Sequence, residues 1–168
     1  MSSERNLQLL ATFHAIGLDI DVQTFENRLL IQKSVYFLEQ FDADLGYTFG
    51  MYIRGPYSPT LARDAYTLQE LDYSPDEIKA VHINSNVRSK MRAFMDSIDK
   101  LVDNKKNRQY WLELLASLHF LFKHSYPRIK TFKEAKNTYK LAPFGDDVRI
   151  AFGILEKHCL LLRDEYGE

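Results

Sequence analysis

Apolar positions recur along this chain in two rhythms, a helical one over most of its length and an alternating one over a short stretch near residue 50. From Asn6 to Ile16, Leu7, Leu10, Ala11 and the Phe13-His14 pair fall near a helical period, and Gly17 is a stop signal. The best-defined helix is expected over 25–42, behind Thr24 as N-cap, with Glu26 where the helix dipole favours an acid. Leu30, Ile31, Ser34, Val35, Phe37, Leu38 and Phe41 form its broad stripe, and Phe25, Leu29 and Tyr36 a second, narrower seam. A helix with two apolar seams packs on two sides, so this one is expected at the centre of the fold. Tyr47 to Ile53 then alternates and is rich in aromatic and β-branched residues, which predicts a strand. Arg54-Gly55-Pro56-Tyr57 is expected to turn, because proline cannot donate to a ladder, and Ser58-Pro59 to cap and open a helix through about Leu71.

Beyond a turn at Tyr73–Asp76, the residues Ile78, Val81 and Ile83 suggest a second short strand. Asn84-Ser85-Asn86 caps a helix expected over 87–103, and Trp111, Leu114, Leu115, Leu118, Leu121 and Phe122 mark another over 108–123. Tyr126-Pro127 breaks the pattern, a short helix follows within Thr131–Tyr139, and the last helix is expected over 145–164. Val148, Phe152, Leu155, Cys159 and Leu162 share one side of that last helix, which makes Cys159 an inert core thiol. The pattern as a whole predicts one mainly α domain over residues 1–168, with six to seven helices and a small two-stranded β element. The order helix, helix, strand, helix, strand in the first 84 residues is compatible with a winged-helix-like unit.

Composition agrees with a packed domain: 168 residues, 45% hydrophobic, 27% charged, with 11 Phe and 10 Tyr to fill a core. The single cysteine asks for no oxidising compartment. The start, Met1 to Asn6, has no basic leader, and no stretch is apolar for the length a membrane helix needs, so a cytoplasmic protein without a membrane partner is expected. Charge changes the picture more. Residues 1–80 hold 12 acidic and 6 basic side chains, whereas residues 81–143 hold 5 acidic and 13 basic. The middle of the chain is therefore a candidate footprint for an anionic partner, against the plainer reading of solvated helix faces.

Candidate chemistry is thin. His14, His82, His119, His124 and His158 lack the i, i+3 or i, i+4 pairing of zinc motifs, and His119 and His124 point apart on a helix. No phosphate-cradling loop, dinucleotide turn or nucleophile elbow is present. Asp19/Asp21 and Asp146-Asp147 sit where turns and first helical turns use acids. No metal site, no cofactor and no catalytic activity are expected.

The segment from Tyr52 to Pro59, with Arg63 and Asp64 after it, combines a strand, a rigid turn and a capped helix. Tyr52, Arg54, Tyr57, Ser58, Arg63 and Asp64 are the candidate contacts to a partner protein, since aromatic and arginine side chains on a rigid turn make binding hot spots. The same residues also read as strand-to-helix punctuation with a local charge network. The alternative partner is nucleic acid, held by Arg88, Lys90, Arg92, Lys105, Lys106, Arg108, Lys130, Lys133 and Lys136. A pI near 6.5 weighs against that alternative.

Two runs carry a family resemblance: Leu30-Ile31-Gln32-Lys33-Ser34-Val35-Tyr36-Phe37-Leu38, and Phe49-Gly50-Met51-Tyr52-Ile53-Arg54-Gly55-Pro56-Tyr57-Ser58-Pro59. At this spacing they resemble the Panacea (SocA-like antitoxin) domain and the YwgA-like proteins related to it. Leu61 with Asp64 fits a further Leu-x-x-Asp pattern of the YwgA-like members, and residues 111–118 look like a later helix of the group. Arg54 departs from the aromatic residue common at its position. The resemblance implies a mainly helical prokaryotic or phage protein that binds a partner, in the antitoxin case a toxin, by direct contact.

Overall fold

The computed structural model describes residues 2–124, 129 and 131–161. Its elements run α1 (Ser2–Ala15), α2 (Phe25–Gln40), β1 (Gly50–Tyr52), β2 (Gly55–Tyr57), α3 (Pro59–Leu68), α4 (Pro75–Lys79), α5 (Ser85–Asp99), α6 (Arg108–His124), α7 (Phe132–Lys136) and α8 (Asp147–Lys157), with a 3-10 turn at Ala142–Phe144. The protein is thus mainly helical, with eight α-helices among the described residues and one small antiparallel hairpin.

Helix α2 is central, as its two seams require. Every residue from Ile31 to Leu38 is buried, and the helix packs against α6, β2, α3 and α5. The Thr24 hydroxyl accepts from the Asn27 amide at 3.1 Å and opens it. At its other end the Ala43 amide reaches back to the Leu38 carbonyl and the Asp42 amide to Glu39, with Asp42 at φ +67°. That is a Schellman closure, made here by aspartate where glycine is usual. Phe37 and Phe41 stack on Phe94 of α5 at 4.5 and 5.7 Å between ring centroids. Helix α6 packs against both α2 and α5, contributing Leu112, Leu114, Leu115 and Leu118 to one continuous core. α8 covers α6, and α1 packs on α3 and α4.

Three expectations need correction. The second strand is Gly55–Tyr57, paired Gly50 to Tyr57, Met51 to Pro56 and Tyr52 to Gly55, and the Gly-Pro-Tyr run is part of the ladder rather than only a turn. Proline is tolerated because the Pro56 carbonyl points away from β1, into α2; at such an outward position the missing N–H costs the ladder nothing. The stretch expected as a second strand at 78–83 instead begins with α4, where Ser74 and Glu77 form a reciprocal capping box. The strands are therefore consecutive, and the helix-strand alternation behind the winged-helix-like reading is absent. Finally, α8 ends at Lys157, and Cys159 is exposed rather than core. Leu160 and Cys159 donate back to Leu155 and Glu156 in another Schellman closure, which places Cys159 at φ +59° beyond the helix. The Tyr126-Pro127 break, Arg128, Lys130 and Leu162 lie outside the described residues. No helix of the described residues is long and apolar enough to cross a membrane.

Candidate functional site

The Gln-Lys helix and the Gly-Pro-Tyr-Ser run meet in space and hold one another. Gln32, buried on α2, spans the Ser58 backbone: its amide nitrogen donates to the Ser58 carbonyl at 2.9 Å and its oxygen accepts from the Ser58 amide at 2.8 Å. One turn-step on, the Lys33 ammonium donates to the Pro56 carbonyl at 2.6 Å. Gly55 sits at φ +94° directly above; a Cβ there would lie 2.6 Å from the Ser117 hydroxyl of α6 and 3.4 Å from the end of Lys33. A residue in this conformation and this space must be glycine. Ser58 then uses its hydroxyl to accept from the Leu61 amide and cap α3. Hairpin, α2, α3 and α6 are thereby locked at a single point.

Lys33 is only 1% exposed. Burial pulls its pKa down from 10.5 to about 8, opposed by the negative charge of Glu113 and assisted by the positive charges of Arg54 and Lys140. A second buried knot surrounds Asp64, which accepts from Arg5 at 2.9 Å and from the Tyr47 hydroxyl at 2.8 Å. Burial, first, and the Asp64 bond push the Tyr47 hydroxyl well above its usual range, so it remains a donor. This knot fastens α1 and the 45–49 segment onto α3.

What the lock presents is a protruding tip. Ile53 and Arg54 form its two-residue turn, followed by Gly55 with positive φ. Lys140 braces the tip from the far side, donating to the carbonyls of Tyr52 at 2.7 Å and Ile53 at 3.2 Å. Arg54 forks onto Glu113 of α6 at 2.7 and 2.8 Å and lies over the Phe25 ring at 5.2 Å from its centroid. Between the tip, the first turns of α2 and the outer face of α3 runs an open groove of about 350 Å³, floored by Leu29, Ala62 and Ala65. Large apolar side chains stand exposed on its rim: Phe25 at 47%, Tyr52 at 50%, Tyr66 at 51% and Ile53 at 88%. Four such residues around one concavity make a contiguous patch, not the scatter of single exposed apolar groups that any surface carries.

The six residues expected as contacts divide into two sets. Tyr52 and Arg54 are on the tip, Tyr57 is half-buried in the groove with its ring 5.0 Å from that of Tyr52, and Arg63 is exposed on α3. Ser58 and Asp64 are buried and engaged inside the fold, so they have no surface to offer. Sequence reasoning missed Ile53, Tyr66, Arg28 and Phe25, the last taken for a buried seam residue. A signal for Ile53 was available: turn positions favour small polar residues, proline or glycine, and a β-branched aliphatic side chain there is out of place.

Among the described residues, the basic side chains of the middle region are spread over several elements, and some are paired. Arg88, Lys90 and Arg92 are exposed on α5, Lys105 on the following loop and Lys133 on α7. Lys106 pairs with Asp147, Arg108 with Asp99 and Lys136 with Asp146, at 2.6 to 2.9 Å. Arg92 donates to the Ala15 carbonyl. Among the described residues no group of three or more His, Cys, Asp or Glu is arranged to hold a metal ion. No family model, no curated protein and no solved structure matches this chain.

Proposed function

We propose that the chain is a non-catalytic protein-binding module of the antitoxin-like kind implied by its Panacea-like and YwgA-like motifs, and that its contact surface is the hairpin tip with the adjoining groove. One observation carries the reading: a rigidly locked tip surrounds an open concavity with four exposed large apolar side chains. Water-exposed apolar surface of that extent lowers solubility unless a partner covers it. The lock also supplies what tight recognition needs, since a preformed surface loses little conformational entropy on binding. The motif residues Gln32, Lys33, Gly55, Pro56 and Ser58 then act as the frame of the site, and Tyr52, Ile53 and Tyr66 as its contacts.

The test is a tagged pull-down from the native host, with and without nuclease, read by mass spectrometry for the wild type and for the Ile53→Ser, Tyr66→Ser double variant. A single stoichiometric protein that survives nuclease and falls about tenfold or more with the double variant supports the reading. Partners lost on nuclease treatment, or co-purifying nucleic acid, transfer the function to the basic residues of α5 and its neighbours. A stoichiometric partner retained in full by the double variant moves the contact surface elsewhere.

A further inference from the structure

The groove has a charge sign as well as a shape. Only three charged side chains line it, Arg28, Lys33 and Arg54, and no carboxylate does among the described residues. The bias runs against the local composition, because residues 1–80 hold 12 acids and only 6 bases, of which the groove takes three. A fourth cation, Lys140, is clamped to the back of the tip. Glu113, bound to Arg54, and Glu26, whose charge Arg54 also feels, offset part of this but leave the site with an excess of positive charge. Arg28 is held in place by a 2.8 Å bond to the Val22 carbonyl and makes no ion pair among the described residues. Arg63, exposed on α3, reaches only a marginal 4.0 Å approach to Asp64. An apolar floor between fixed cations selects for a ligand that is apolar in the middle and anionic beside it.

Resting on the protein-binding reading above, we infer that the occupant of this groove is an acidic amphipathic segment of the partner protein, which lays an aromatic or long aliphatic side chain on Leu29, Ala62 and Ala65 and sets flanking Asp or Glu carboxylates against Arg28 and Arg54. A small amphipathic acid fits the cavity but leaves the rim bare; Ile53 and Tyr66 line the groove yet remain 88% and 51% exposed, and a ligand that covers their outer faces together with the floor is macromolecular. The segment binds with its apolar face inward, as helices and extended segments do in grooves of this kind. Its carboxylates steer the approach, so association weakens as salt rises.

The experiment is selection of a random-peptide phage library on the full chain, with Ala62→Trp as the counter-selection target. Enriched sequences are then made as fluorescent peptides and measured by anisotropy. The expected result is a set in which an aromatic or long aliphatic residue lies within about one helical turn of Asp or Glu. Affinity should fall about tenfold or more on Ala62→Trp, on Tyr66→Ala, and when the peptide acids become amides, and should decline with salt. Tyr66→Ala serves because it trims an exposed rim side chain and leaves the floor intact, should the tryptophan disturb the fold. Groove-dependent peptides without acidic bias overturn the charge inference and leave the protein-binding reading standing. Failure of any peptide to distinguish wild type from both variants removes the groove as a peptide site, while the host pull-down still decides whether the module binds protein. Sedimentation with phosphatidylglycerol vesicles that depends on Ile53, with no peptide enriched, overturns both in favour of a bilayer surface.

Discussion

Lys33 keeps its charge at neutral pH in a place where charge is expensive, because a pKa of about 8 leaves the ammonium largely protonated at pH 7. A displacement of that size corresponds to about 3 kcal/mol withheld from folding at neutral pH, since each pKa unit is worth about 1.4 kcal/mol. The direction is fixed by linkage: between pH 8 and 10.5 the unfolded chain holds the proton that the folded chain has released, so raising the pH stabilises the fold. Tyr36, Tyr47 and Tyr110, all pushed upward chiefly by burial, act oppositely once the unfolded tyrosines ionise near pH 10. The usable window is thus below that. Urea unfolding should show the wild type gaining roughly 1–2 kcal/mol from about pH 8 to 9.5, relative to Lys33→Met, which lacks the titrating group. At this scale the sequence reveals identity but not exposure. Ser58 reads as a contact until the hairpin folds over it, and Ile53 reads as the end of a strand until it proves to be the tip.

At the level of elements, the hairpin depends on one glycine. Gly55→Ala combines a left-handed backbone with a Cβ placed 2.6 Å from the Ser117 hydroxyl, and α6 cannot retreat because Leu114, Leu115 and Leu118 anchor it in the core. The expected loss is about 2–3 kcal/mol, the sum of a strained φ and a close contact. Adding Ser117→Ala removes the oxygen but not the backbone strain. The double variant should therefore be less destabilised than the two single variants added together, a coupling that a thermodynamic cycle from urea melts measures directly. Strict additivity would mean that the hairpin shifts away from α6 instead of pressing on it. Most elements could be placed from caps and period alone: α2, α3, α5 and α6 begin within two residues of where Thr24, Ser58, Asn84 and the 103–107 loop put them. The misplaced ones failed for identifiable reasons. In α4 the capping box of Ser74 and Glu77 outweighed the spacing of Ile78, Val81 and Ile83. At the end of α8 a non-glycine residue, Cys159, took the left-handed position, and nothing in a cysteine announces that. Gly-Pro within a strand reads as a break until α2 is known to receive the proline's outward carbonyl.

Across the whole molecule, the same central helix that locks the hairpin on one side is tied to the C-terminal region on the other. The Tyr36 hydroxyl lies 2.6 Å from Nδ1 of His119 on α6, and His119 also hydrogen-bonds the Leu160 backbone just past α8. The neutral ring has one N–H, and that proton serves the Leu160 backbone, so Nδ1 accepts from the Tyr36 hydroxyl. No sequence pattern joins positions 36, 119 and 160, because the pairing is made only when α2, α6 and the end of α8 converge on one core. A neutral ring with both nitrogens engaged cannot accept a proton without losing the tyrosine bond, and burial accordingly lowers the His119 pKa from 6.5 to about 4. Its contribution to stability is fully present above pH 6.5 and is lost as the pH falls toward 4, because in that window the unfolded chain takes up a proton the folded chain refuses. From about pH 7.5 to 5 the loss amounts to about 2 kcal/mol. His119→Gln, which keeps one donor and one acceptor but does not titrate, should lose less stability over that range by about the same amount, read from urea midpoints at the two pH values. Equal acid sensitivity in the two proteins would place the proton on other groups and leave the Tyr36–His119–Leu160 link without a role in acid stability.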